Sequence, residues 1–349
     1  TLIALACLLT LAAQAAERNI DRYPEKPIRF IVPFPPGALN DYLGRLLATK
    51  FTENWNKQMV VDNRAGGSTI IGTEMAAKAA PDGYTLLLCS VALAVNQTLF
   101  PKLPYNTDKD LAFVSMVAAT PYLVVVQPSL PVKSLQDLVA LAKAKPGSLN
   151  YATANAFARL AGELFNSAAG LKTANVPYQG PVMATTDLLA GRVQYMVEAP
   201  AVFRQEIQLG KLRALAVADT RRYAQLPQLP TTAEAGLPGF EVRTWFGVTA
   251  PAATPAAVIA AWNSEINQIL TMKDVRESLA LQGLESAGTT PQQFADFARD
   301  ERAEFLRSAR DDLRTGNGEA VAELTLAAAR SGYLADTVAD PENRLMWGY

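Results

Sequence analysis

The sequence predicts an α/β protein built as two lobes, each a mainly parallel sheet flanked by helices. Two observations predict it. Short apolar runs alternate with helix-patterned segments over most of the chain, as parallel strands covered on both faces require. Half of the 349 residues are apolar and 19% are charged, enough for sizeable cores.

The strand-like runs are "IRFIVPF", "QMVVDN", "YTLLLCS", "YLVVVQP", "LNYAT", "ANVPY", "VQYMVEA" and "LRALAVA". Between them lie helix patterns over about Asn40–Asn54 and over "GTEMAAKAA", "SLQDLVALAKAK", "RLAGELFNSAAG", "TTDLLAG" and "FRQEIQLG". Pro81-Asp82-Gly83 and Pro146-Gly147 end two of these helices. The chain is expected to cross between lobes near Ala119–Pro128 and to return near Arg243–Pro251. Lobe 1 would hold 23–120 and 250–310, lobe 2 would hold 121–249, and 311–349 would form an extension without an assigned role. A double crossing of this kind makes a hinge around a cleft.

At the N-terminus, Thr1–Ala13 is an apolar run of signal-peptide length, and Ala13-Gln14-Ala15 is a small-x-small cleavage site. Residues 1–15 therefore read as an export signal cleaved near Ala15 or Ala16, which places the protein in the periplasm. Only Cys89 then remains, and it reads as a core residue.

Thirty-two basic and 33 acidic residues leave no electrostatic footprint for nucleic acid. The chain contains no histidine, which removes the commonest general base, the usual zinc ligand and every Ser-His-Asp arrangement. No metal, cofactor or catalytic residue is expected.

The candidate site lies where strands run into helices, the edge at which parallel sheets bind ligands. In "FIVPFPPGALNDYLGRLLA", Pro35-Pro36 stiffens the strand exit, Gly37 permits a left-handed turn, and Asn40 or Asp41 is expected to cap the helix. Helix-start amides carry the positive dipole end and seat a carboxylate or phosphate. Gly66-Gly67-Ser68-Thr69 offers amides and hydroxyls before a second helix; no Gly-Lys-Ser/Thr follows, so it is no nucleotide loop. Thr153 and Asn155 are expected to cap a third. Tyr178, Gln179 and Gly180 form another strand-to-helix turn, and Glu198 closes the strand "VQYMVEA". Each has a plain alternative: a capped helix, a glycine turn, a packed tyrosine, an exposed acid.

Several long segments, in order, resemble the Bug family, the TctC-type extracytoplasmic solute receptors of tripartite tricarboxylate transporters. They are "YPEKPIRFIVPFPPG", "IGTE", "AKAAPDGYTLL", "PYLVVVQPSLPVKSLQDLVALAKAKPGSLNYAT", "NVPYQG", "TTDLLAGRV" and "GKLRALAVADTRRYAQLPQLPTTAEAGLPGFEV". The resemblance spans about Tyr23 to Arg310 and implies a monomeric Venus-flytrap receptor that holds a small carboxylate for membrane permease subunits. By position it implies that Pro36, Gly37, Ala38, Asn40, Asp41, Ser68, Thr69 and Ser90 line the cleft from lobe 1. From lobe 2 it implies Thr153, Asn155, Ala156, Tyr178, Gln179, Gly180 and Glu198.

The departures fall on the glycine loops. Ala38 stands where the family's second glycine is usual, and Ile70 where asparagine is common. Asn155-Ala156-Phe157-Ala158-Arg159 replaces a glycine-containing turn and its histidine, and Asn175 stands where another histidine is common. Phe157 could narrow the cleft or add a stacking face, and Arg159 could supply charge in place of lost amides. A ligand preference shifted toward an aromatic carboxylate is the expectation. Two other readings are a receptor that signals to a sensor kinase, and an enzyme using Glu198 or Asp41 as base. Against the enzyme stand the missing histidine, the lack of a placed nucleophile and the lack of acids at metal-ligand spacing.

Overall fold

The computed structural model describes residues 23–314 apart from 101, 155 and 179, with side chains undescribed at 98, 99, 156 and 304–314. The expected signal peptide and most of the 311–349 extension lie outside the described residues.

Three parallel strands open the fold: β1 (Ile28–Val32) lies between β2 (Met59–Asn63) and β3 (Thr85–Ser90). Antiparallel to β3 runs β9 (Arg243–Pro251), and antiparallel to β9 runs β4 (Leu111–Val126). Beyond Pro121 the same β4 enters a second sheet. There it is flanked antiparallel by β7 (Tyr195–Glu198) and β8 (Arg213–Ala218). β5 (Asn150–Thr153) follows parallel to β7, and β6 (Ala174–Pro177) parallel to β5. A short β10 (Glu285–Ser286) pairs with β4 at Ala118 and Ala119, beside the crossing.

Alternation along the strands explains the two-sided cores. Ile28, Phe30 and Val32 of β1 face a cluster with Leu43, Phe51 and Trp262, whereas Ile31 faces one with Leu87, Trp245 and Phe294. In the second sheet Tyr122, Val124 and Val126 join one cluster, and Leu123 and Val125 join another. A continuous apolar run such as "YLVVV" therefore follows from a strand buried on both faces.

One difference from the sequence reading concerns β4. Only its second half reads as a strand, but Leu111–Val126 is one element serving both sheets. Bulges between Phe113 and Ser115 and between Met116 and Ala118 break the alternation that would have marked the first half.

Candidate functional site

The carboxyl ends of β2, β1 and β3 share one edge of the first sheet. Beyond β1, Gly37 adopts φ +82°, the left-handed turn expected of it. The helix Leu39–Trp55 then begins, with Ala38 as N-cap and no side-chain cap. This corrects the expected cap: Asn40 and Asp41 are already the second and third helical residues. Asp41 reaches backward instead, its Oδ2 accepting from the Gly37 amide at 2.9 Å and from Arg45 Nε at 3.0 Å. Its Oδ1 accepts from Asn63 Nδ2 at 2.9 Å, which ties the exits of β1 and β2 together. The Arg45 hydrogen bond, helped by the Gly37 amide and Asn63, overcomes burial and holds the Asp41 carboxyl down at about 2. Asn40 is buried, and its Nδ2 has no hydrogen-bond partner.

After β2, Gly66, Gly67, Ser68 and Thr69 adopt φ values of +133°, +53°, +52° and +78°. The last two are strained, because a side chain resists this region and a β-branched one resists it most. Gly66 and Gly67 meet this backbone demand freely, whereas Ser68 and Thr69 meet it with side chains in place. Asn96 holds the strained turn: its Nδ2 donates to the Ser68 carbonyl at 2.8 Å, and the Thr73 hydroxyl donates to the Thr69 carbonyl at 2.9 Å. The helix Ile70–Ala77 that follows has no side-chain cap. Ile70 does not face the cleft; it is fully buried in the core. Ser90, ending β3, accepts the Ala92 amide on Oγ at 3.3 Å.

The carboxyl ends of β7, β5 and β6 share an edge of the second sheet. The Thr153 hydroxyl donates to Asn175 Oδ1 at 2.8 Å, cross-linking β5 to β6. Asn155 and Gln179 lie outside the described residues, and Ala156 begins the helix Ala156–Ala169. The Tyr178 hydroxyl donates to Asp187 Oδ2 at 2.8 Å, and Arg192 engages the other carboxylate oxygen at 2.7 Å. Burial and then this acid push the Tyr178 phenol up to about 12. Gly180 is the N-cap of the helix Pro181–Leu189, again without a side-chain cap.

Glu198 departs from the usual exposed acid: it is only 3% exposed. Its Oε1 accepts the Ala199 amide at 2.9 Å, and Tyr122 hydrogen-bonds it. Burial, then Glu198, drives the Tyr122 phenol well above its ordinary value.

The two edges meet at Phe157. Its half-buried ring packs against the second-sheet cluster containing Tyr122 and against the first-sheet cluster containing Ile70, Val91 and Leu93. Arg159 lies within electrostatic reach of Tyr151, inside the second lobe.

Three helices starting from these edges, at Leu39, Ile70 and Pro181, lack a cap from their N-cap side chain; a fourth, Ala92–Leu99, also has none from Val91, but there the Ser90 hydroxyl accepts the Ala92 amide. By contrast Ser134 and Asp137 form a capping box for Leu135–Ala144, and Thr290 with Gln293 forms another before Pro291–Arg314. Uncapped starts also occur at Ala256 and Lys273, so a missing cap alone marks nothing. The shared edges are what distinguish the three.

Sequence reading missed Asn96, Asn63 and Tyr122. Asn96 carried one signal, a lone amide inside the apolar run "VALAVNQTLF". Asn63 closes "QMVVDN" and looked like an ordinary strand end; Tyr122 looked like core.

A model of the TctC family, described as the tripartite tricarboxylate transporter family receptor, matches residues 43–308. Protein BugT of Bordetella pertussis (strain Tohama I) is 40% identical over 305 residues, covering 86% of this chain and 93% of BugT. The structure of R. palustris Rpa4515 with adipate has a TM-score of 0.70 at 32% identity, covering 82% of this chain and 97% of that one. MatC (Rpa3494) from Rhodopseudomonas palustris with bound malate has a TM-score of 0.66 at 28% identity, covering 82% and 99%. The fold is that of the two-lobed periplasmic binding proteins, and the chain belongs to the TctC family of tripartite tricarboxylate transporter receptors.

Proposed function

We propose that this protein captures a small organic carboxylate between its two lobes and delivers it to the permease subunits of a tripartite tricarboxylate-type transporter. It is exported by residues 1–15, cleaved near Ala15 or Ala16, and works in the periplasm as a monomer. By the sequence reading lobe 1 comprises 23–120 and 250–310 and lobe 2 comprises 121–249; β4 crosses between the sheets, and β9 lies in the first sheet between β3 and β4. No covalent step is assigned.

The observation that carries this reading is the set of uncapped helix starts at Leu39, Ile70 and Pro181 on the strand edges. Each leaves main-chain N–H groups and a positive dipole end for an anion. The carboxylate is held by the amides after Pro36-Gly37-Ala38, with the Asn40 amide beside them, and by the Ser68-Thr69 turn and Ser90. From lobe 2 come the segments Thr153–Ala156 and Tyr178–Gly180, with Glu198 behind. Adipate and malate in the two structural relatives are ligands of this chemical kind.

Native mass spectrometry of the exported protein, followed by thermal shift with the acid it carries, tests the reading. A small-acid adduct that is lost on denaturation and raises Tm when added back is expected. A protein that carries nothing and is stabilised by no carboxylate refutes it.

A further inference from the structure

We infer that Phe157 sets which acids the cleft accepts: one carboxylate on an apolar, preferably planar body, in preference to acids with a second charged group. This rests on the receptor reading above. Phe157 stands in the first turn of the helix leaving β5, and its ring touches the cores of both lobes at once. It meets Tyr122 edge to face, with ring centroids 5.3 Å apart and planes at 85°. A group in this position forms the wall between the lobes, and that wall is apolar.

Among the described residues, three hydroxyls of this region are engaged with the protein. The Thr153 hydroxyl is bonded to Asn175, the Tyr178 hydroxyl to Asp187, and the Tyr122 hydroxyl to Glu198. These hydroxyls are spent on acceptors of the protein itself and are not free to donate to a second anionic group. Three guanidiniums are committed to acids, Arg45 to Asp41, Arg192 to Asp187 and Arg243 to Asp219, and Arg159, two residues beyond Phe157, acts electrostatically on Tyr151 in the interior of the second lobe. A dicarboxylate would therefore seat one end on the helix-start amides and desolvate the other against the Phe157 ring and hydroxyls that already have acceptors. A single carboxylate on an aromatic body meets no such penalty and gains the Phe157 contact.

Calorimetric titration of the full exported chain with phenylacetate, benzoate, malate and adipate tests this. The wild type is expected to bind an aromatic acid at least tenfold more tightly than either dicarboxylate. Phe157→Ser is expected to cut that preference at least tenfold. Phe157→Leu keeps an apolar wall and is expected to go on excluding malate and adipate, which separates the wall from general packing. The wild-type ratio decides the ligand class even if a variant does not fold. Malate or adipate binding as tightly as the aromatic acids overturns this inference and leaves the receptor reading standing. A Phe157→Ser protein with an unchanged preference overturns the role of Phe157. If none of these acids, nor any other carboxylate, binds, the receptor reading falls and this inference with it.

Discussion

Asn96, buried on the helix Ala92–Leu99, donates its Nδ2 to the carbonyl of Ser68 across 2.8 Å. That bond joins the element after β3 to the strained turn after β2. Asn96→Ala leaves the carbonyl without this donor, and the loss is expected to be about 1–3 kcal/mol of stability. Urea unfolding measures it. Carboxylate affinity should fall as well, because the turn is no longer fixed.

Ser68 holds φ +52°, and its side chain makes no hydrogen bond among the described residues. Glycine adopts this conformation without steric cost, so Ser68→Gly should raise stability by about 1 kcal/mol. A rise in the urea midpoint at constant slope is the expected result. A fall would mean that the serine side chain contributes more than the strain removes.

Asp41 gives a pH dependence with a definite sign. Arg45 first, with Gly37 and Asn63, lowers its carboxyl from 3.8 to about 2 in the folded protein. A depressed folded value means the unfolded chain takes up the proton first. Its stabilisation is complete above about pH 5 and is lost as pH falls toward 2. Asp41→Asn should therefore cost about 1.5–3 kcal/mol at neutral pH, the worth of a charge-assisted hydrogen bond. The gap to wild type should shrink between pH 5 and 2. A gap constant over that range would contradict the assignment.

Cys89 is buried on β3, and burial pushes its thiol up to about 12. With Cys7 replaced by serine, the native protein should show no reaction with a thiol reagent at pH 8, and one thiol should appear on unfolding. Labelling is read by absorbance or mass.

The fold was legible because buried parallel strands leave continuous apolar runs, as in "YTLLLC" and "YLVVV". The edges of the site were legible for a similar reason: prolines and glycines such as Pro36, Gly37, Gly66 and Gly180 mark strand exits. Pairings across the structure were not legible. The Thr153 hydroxyl finds Asn175, 22 residues away on the neighbouring strand. Glu198 looked exposed because its partner Tyr122 lies on another strand. Asp41 looked like an N-cap, but the helix starts two residues earlier and the carboxylate turns back to Gly37. Such outcomes depend on which strands become neighbours, and local pattern carries no record of that.

Calorimetric comparison of the tightest-binding acid with its own carboxamide most directly tests whether main-chain amides grip a negative charge between the lobes. The two ligands have nearly the same shape and differ in charge. At least a hundredfold loss on conversion to the carboxamide, with the same stoichiometry of one, is the predicted result. Equal affinity of the two would show that shape alone is recognised, and would contradict the account.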